Sequence, residues 1–175
     1  MSTLSRTDPS VNVGGVQIVR AQPEEAPTLT HIAFRAKRHW GYPEPRIESW
    51  RELLTIRPEY VSRNDTYAAR IGDRTVGFYS LSSEGAVSRL EHLWVLPEAM
   101  RQGVGRALFA HAVVRAGAMG CRKLEIESDP NAEGFYQRMG ARRVGVNFTE
   151  VEGQRRELPV LVFAIERVRS TLRSL

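Results

Sequence analysis

The chain has one cysteine in 175 residues, Cys121. A lone thiol forms no internal bridge, and no group of cysteines and histidines carries metal-ligand spacing. Neither a disulfide scaffold nor a metal module is expected, and a reducing, cytoplasmic setting fits best. Long apolar runs are also missing: no stretch is long enough to span a bilayer, and the polar opening MSTLSRTDPSVNVGG lacks the apolar core of a signal peptide, so no membrane partner is expected. The chain is basic, with a formal charge of +5 and a pI near 9.9, which keeps nucleic acid, acidic protein and phosphorylated ligands open as partners. Its arginines are scattered, however, and no basic run is interleaved with aromatics, so no specific nucleic-acid binding is expected. Repeats and low-complexity segments are absent.

What remains is one globular domain. Residues 1–14 are rich in Ser, Thr, Pro and Gly and are expected to be poorly ordered; residues 15–167 form the domain and 168–175 a tail. The alternating VQIVRA is a first strand, and Pro23-Glu24-Glu25 opens a helix that reaches about His39. HWGYPEP breaks that helix, and Ile47, Trp50, Leu53 and Leu54 mark a second helical face. TYAARIG and TVGFYSLSS read as a hairpin turning at Asp73-Arg74, and AVSRLEHLWVL continues the meander. A helix to about Met119, the strand RKLEIES, the short helix NAEGFYQRMG and two strands around EGQR complete the chain. This order predicts an α/β fold, a mixed and mostly antiparallel sheet of about seven strands with helices on both faces.

The stretch LWVLPEAMRQGVGRALFAHAVV passes from an apolar strand through a glycine turn into a helix. Gly103 and Gly105 leave the turn's amides unhindered, while Val104, Leu108 and Ala112 begin the buried face of the helix behind them. Helix dipole and free N–H groups then point at one spot, which suits a pyrophosphate, with Arg101 and Arg106 in reach. The turn is neither a Walker loop, since Arg106-Ala107 replaces Lys then Ser or Thr, nor a Rossmann fingerprint, which needs a third glycine.

LEHLWVLPEAMRQGVGRALFAHAVVRAGAMGCRKLEIES followed by NAEGFYQRMGARRVG closely resembles the GNAT superfamily of acyl-CoA N-acyltransferases. That family's turn usually reads Gln or Arg, two residues, Gly, one residue, Gly or Ala. Met100 stands at its first position, with Arg101 and Gln102 beside it. The resemblance implies acetyl-CoA as acyl donor, cradled by Arg101, Gln102, Gly103, Val104, Gly105 and Arg106. It also implies pantetheine pairing along Leu93, Trp94 and Val95, and a bulge that splays this fourth strand from the fifth. A homodimer is plausible on the same ground.

Acyl transfer from a thioester to an amine needs an uncharged nucleophile, a stabilised oxyanion and a proton for the departing thiolate. By resemblance Glu91 is the base, acting through water, and an N–H near Val95 serves the oxyanion. Tyr136 lies near the thioester sulfur, and Asn131 contacts the donor. The plain structural readings are a cross-strand arginine pair for Glu91, helix packing for Tyr136 and local backbone bonding for Asn131. His92 points to the opposite face if the strand is regular. Cys121 has no evident base beside it, which favours direct attack in a ternary complex over an acyl-cysteine. His39, Trp40 and Tyr42, extended by Trp50 and Tyr60, form either an aromatic wall for the amine acceptor or a packed hinge. EGQRRELP either borders the cleft or only turns the chain. The expected activity is N-acetyl transfer to a primary amine of a small molecule, peptide or protein; the alternative is a non-catalytic acyl-CoA-binding regulatory module.

Overall fold

Residues 10–166 are described in a computed structural model. The strands are β1 (Val11–Val13), β2 (Val16–Arg20), β3 (Asp65–Ile71), β4 (Arg74–Glu84), β5 (Val87–Val95), β6 (Lys123–Glu127), β7 (Arg142–Val151) and β8 (Gln154–Ala164). The helices are α1 (Ala26–His39), α2 (Glu44–Ser49), α3 (Arg51–Leu54), α4 (Pro58–Arg63), α5 (Val104–Ala118) and α6 (Glu133–Arg138). One sheet holds all eight strands in the order β1-β2-β3-β4-β5-β6-β8-β7. Among the described residues only β5 and β6 pair in parallel, because α5 carries the chain back across the sheet between them. Among the described residues no helix is long and apolar enough to cross a membrane.

The structure departs from the expected elements at several points. Val11–Val13 adds an eighth, edge strand paired with β2, inside the segment expected to be poorly ordered. The first hairpin turns at Gly72-Asp73 rather than Asp73-Arg74, since Ile71 pairs with Arg74 and Gly72 supplies the left-handed φ of +62°. The last hairpin turns on Glu152-Gly153 alone, with Val151 opposite Gln154 and both turn residues at positive φ. The second expected helix is broken after Trp50, which leaves helical geometry and is buried as a plug, and Pro58 then starts α4, a helix the pattern did not resolve. The expected tail at 168–175 lies outside the described residues.

Alternation along β4 places helices on both sides of the sheet. Gly77 and Tyr79 face α5: a Cβ on Gly77 would stand 3.2 Å from Leu108, and the Tyr79 hydroxyl lies 2.7 Å from His111 Nδ1. Phe78 and Ser80 face the other way, where Tyr60 of α4 bonds Ser80 at 2.7 Å. Val104, Leu108 and Ala112 are buried as their spacing predicts. The alanines of that face let α5 settle closely on β4.

Candidate functional site

The parallel pairing of β5 and β6 runs from Val87 opposite Lys123 to Leu90 opposite Ile126 and then stops. Opposite β4, Ser80 pairs with His92 and Leu81 with Leu90, so Glu91 is an extra, bulged residue. A bulge adds twist and bends its strand. The β6-facing backbone of Glu91–Val95 is therefore left without a strand partner, and a cleft of about 810 Å³ opens along it.

Leu93, Trp94 and Val95 line this cleft, as do Arg101, Gly103, Gly105 and Arg106 of the glycine turn and Asn131 and Tyr136 beyond β6. Gln102 does not; its side-chain amide donates to the Glu98 carbonyl at 2.8 Å. Val104 is absent from the lining because its side chain is in the core. His39 and Trp40, at the end of α1, line the cleft, whereas Tyr42 does not.

The turn's amides are the clearest chemical feature. Among the described residues, none of the N–H groups of residues 101–106 has an acceptor within hydrogen-bond distance; the first bond of the helix runs from Ala107 to the Gly103 carbonyl at 2.9 Å. Arg101 and Gly103 hold left-handed backbone, at φ +61° and +83°. A non-glycine residue in that region, here Arg101, carries strain. Gly105 is different: its φ is ordinary, and a Cβ there would sit 3.4 Å from Phe135.

The bulge also changes which side chains meet. The Ser82 hydroxyl donates to Glu91 at 2.5 Å, while His92, opposite Ser80, packs edge-on to Tyr60 at 5.6 Å between centroids. Ser80 and Ser82 share a face, so Glu91 and His92 do too, and both border the cleft. The opposite-face expectation for His92 held only for a regular strand, and no arginine pairs with Glu91 among the described residues. The Trp94 indole N–H donates to His92 Nδ1 at 3.0 Å, which leaves the imidazole proton on Nε2. Burial pushes the His92 pKa down to about 4, so it is a neutral donor. Burial also raises the Tyr60 phenol to about 12; the Ser80 bond opposes this and Glu91 adds to it.

A buried polar group closes the far wall. Lys37 pairs with Asp129, and their side chains are 4% and 8% exposed. Asp129 also accepts from the Tyr42 hydroxyl at 3.1 Å and from the Asn131 amide at 2.9 Å, and Asn131 in turn donates to Tyr42. Tyr42 is thus held in this cluster rather than in the cleft, and Asn131 lines the cleft while its side-chain amide donates to Asp129 and Tyr42 rather than to the local backbone expected of it. Sequence reading took Asp129 as a cap and passed over Lys37. The available signal was a lysine among Leu29, Ile32, Ala33 and Ala36 on the buried face of α1. Tyr136 is 6% exposed and packs on Phe109. Burial, then the Asp129 charge, pushes its phenol well above the usual range.

The family description "Acetyltransferase (GNAT) domain" matches residues 25–155. The chain belongs to the GNAT family. The peptidyl-lysine N-acetyltransferase YiaC of Escherichia coli (strain K12) is 27% identical over 125 residues, 70% of this chain and 81% of YiaC. Among solved structures, a GCN5-related N-acetyltransferase from Rhodopseudomonas palustris aligns with TM-score 0.73 at 21% identity, over 84% of this chain and 94% of that one. The PaiA N-acetyltransferase of Thermoplasma acidophilum, in complex with coenzyme A, aligns at 0.67 and 20% identity, over 85% and 98%. This GNAT protein is therefore an acyltransferase that moves an acetyl group from acetyl-CoA to an amine. Its own residues fit the donor: six unpaired amides offer a polyanion site, and an open strand edge offers hydrogen bonds to an extended amide chain.

Proposed function

We propose that acetyl transfer runs by direct attack of a primary amine inside one ternary complex, with residues 101–106 binding the donor's pyrophosphate and the open edge at Leu93, Trp94 and Val95 holding its pantetheine arm. The observation that carries this reading is the coincidence, along one cleft, of a turn with free amides whose Arg101, Gly103, Gly105 and Arg106 line it, an unpaired strand edge and Tyr136. The donor supplies an activated acetyl group. Everything else is positioning and proton handling by the chain.

Glu91 is the proton acceptor. An alkylammonium with a pKa near 10.4 is uncharged in only about one molecule in 10³ at neutral pH, so a carboxylate at the cleft, reached through water, raises the useful fraction. The Ser82 hydroxyl fixes the orientation of Glu91. Tyr136 attends the leaving sulfur. Because burial raises its pKa, full transfer of its proton to a thiolate near 8.5 runs uphill, and its role is a neutral hydrogen bond to that sulfur. His39 and Trp40 border the acceptor end of the cleft. Cys121 is buried against the Gly85 carbonyl and does not line the cleft, in keeping with direct transfer.

The test has two steps. Calorimetric titration of stripped protein with acetyl-CoA, with ATP and NAD as controls, reads donor binding. CoA release is then followed with a panel of amines, lysine-containing peptides first, as YiaC's activity suggests. Selective acetyl-CoA binding and amine-dependent release are expected. Acetyl label trapped covalently on the protein before amine is added overturns direct transfer.

A further inference from the structure

On the other side of Tyr42, Asp129 and Asn131 from the cleft lies a second cavity of about 230 Å³. Its wall joins Arg46 and Trp50 to Arg155, Arg156 and Glu157 of β8. The segment EGQRRELP, ambiguous in sequence, borders this cavity. Trp50 forms its base, and three cations converge on the one indole: Lys37 at 4.3 Å from the ring centroid, Arg156 at 4.5 Å and Arg46 at 5.3 Å.

These cations are short of counter-charge. Asp129, the nearby buried carboxylate, is taken by Lys37. Among the described residues Arg46 and Arg156 form no ion pair, and Arg46 Nε is buried with no hydrogen-bond partner. Gathering half-buried guanidinium groups without an anion is unfavourable, and a bound carboxylate relieves it through charge-assisted, bidentate contacts. Burial lowers the Arg156 pKa, in line with that deficit. Glu157 on the rim and Asp129 behind it disfavour a dianion more than a monoanion.

Resting on the acetyl-transfer reading, we infer that this cavity is a carboxylate subsite for the acceptor: the amine acetylated in the cleft carries an acidic group that seats between Arg46 and Arg156. Pro130 of the cavity lies between Asp129 and Asn131 of the cleft wall, and none of the cavity's lining residues belongs to the turn at 101–106 or to the strand edge at Leu93, Trp94 and Val95, so it is assigned to the acceptor rather than the donor.

Matched acceptors test it. Peptides with Asp or Glu near the target amine are compared with their Asn or Gln counterparts, and free amino acids with their amides; the first arm reads a side-chain carboxylate and the second a small-molecule one. Wild-type protein should favour the carboxylate members about 10-fold or more in kcat/KM, chiefly through KM. Arg46→Gln and Arg156→Gln should bring that ratio towards one. Saturable binding of butyrate but not butyramide, lost in Arg156→Gln protein of unchanged circular dichroism, reads the subsite without turnover. Acetyl-CoA titration in parallel reports the donor site, so failure of the acetyl-transfer reading shows separately. Equal kcat/KM within every pair, or butyrate binding that survives both substitutions, overturns the inference.

Discussion

Replacing Lys37 by methionine removes the cation bonded to a carboxylate whose side chain is only 8% exposed. Breaking a buried pair from one side costs about 3–5 kcal/mol, because the remaining charge keeps its burial and loses its partner. Asp129 has an escape: it can take up a proton. From an ordinary aspartate pKa near 3.9, at about 1.4 kcal/mol per pH unit, protonation costs about 4 kcal/mol at pH 7 and about 1.5 kcal/mol at pH 5. That sets a ceiling on the destabilisation, which must fall as pH falls. The sign agrees with linkage. In the wild-type protein burial pushes Asp129 up, but Lys37 and the Asn131 bonds pull it further down, to a net value below the usual range. Its contribution is complete above the unfolded pKa and is lost as pH drops through the folded one. In Lys37→Met the main pull is gone, burial dominates, and the carboxyl rises above its unfolded value. Urea unfolding followed by far-UV circular dichroism between pH 5 and 8 should show a loss of about 3–4 kcal/mol at pH 7, shrinking to about 1.5 kcal/mol at pH 5. The double variant Lys37→Met/Asp129→Asn should recover most of the loss, since Asn retains an acceptor for the Asn131 amide. A loss independent of pH refutes the reasoning.

Four further substitutions address the cleft. Tyr136→Phe keeps the packing on Phe109 and deletes one hydroxyl; turnover should fall about 10²-fold with little change in acetyl-CoA affinity by calorimetry, and wild-type turnover removes Tyr136 from the chemistry. Glu91→Gln should depress the rate most at low pH, where the amine holds its proton more tightly, and an unchanged pH–rate profile argues against a base at this position. Gly103→Ala meets no atom within 4 Å but must hold φ +83°, so it should cost about 1–2 kcal/mol and weaken acetyl-CoA binding. Gly105→Ala has an ordinary φ and a 3.4 Å contact with Phe135, so it should cost less than about 1 kcal/mol. Identical effects of the two alanines contradict the separate roles given to the two glycines.

Much of the fold was legible because its signals are local. Strand alternation, Pro23 ahead of α1 and the Val104, Leu108, Ala112 stripe each act within a few residues of chain, and the structure places those elements where they fall. The unresolved features depended on distant partners. The break between α2 and α3 accompanies the burial of Trp50 beneath Arg46 and Arg156, and β8 supplies half of that site from more than a hundred residues away. The Lys37 and Asp129 pair joins positions 92 apart. A sequence read along one dimension shows a lysine at an apolar position but not the carboxylate that permits it. Gly105 was expected to leave the turn's amides unhindered; its φ is ordinary and a Cβ there would make only an ordinary 3.4 Å contact with Phe135, so neither backbone strain nor a clash demands glycine at this position.

The bulge at Glu91 shows how one inserted residue ties these levels together. In a regular strand Glu91 and His92 would face opposite sides of the sheet, and β5 could continue its pairing with β6 to Glu91 opposite Glu127. With one extra residue opposite Ser80 and Leu81, the two side chains share a face, and the β6-facing backbone from Glu91 to Val95 is released. The proton acceptor and the strand edge for the donor therefore have a common origin. Deleting Glu91 outright should restore the register, close the β5–β6 edge and abolish acetyl-CoA binding, whereas Glu91→Gln, which keeps the bulge, should leave that binding intact. Calorimetry on the two variants separates the side chain's chemistry from the geometry it creates; equal acetyl-CoA affinity in both would show that the open edge does not depend on the bulge.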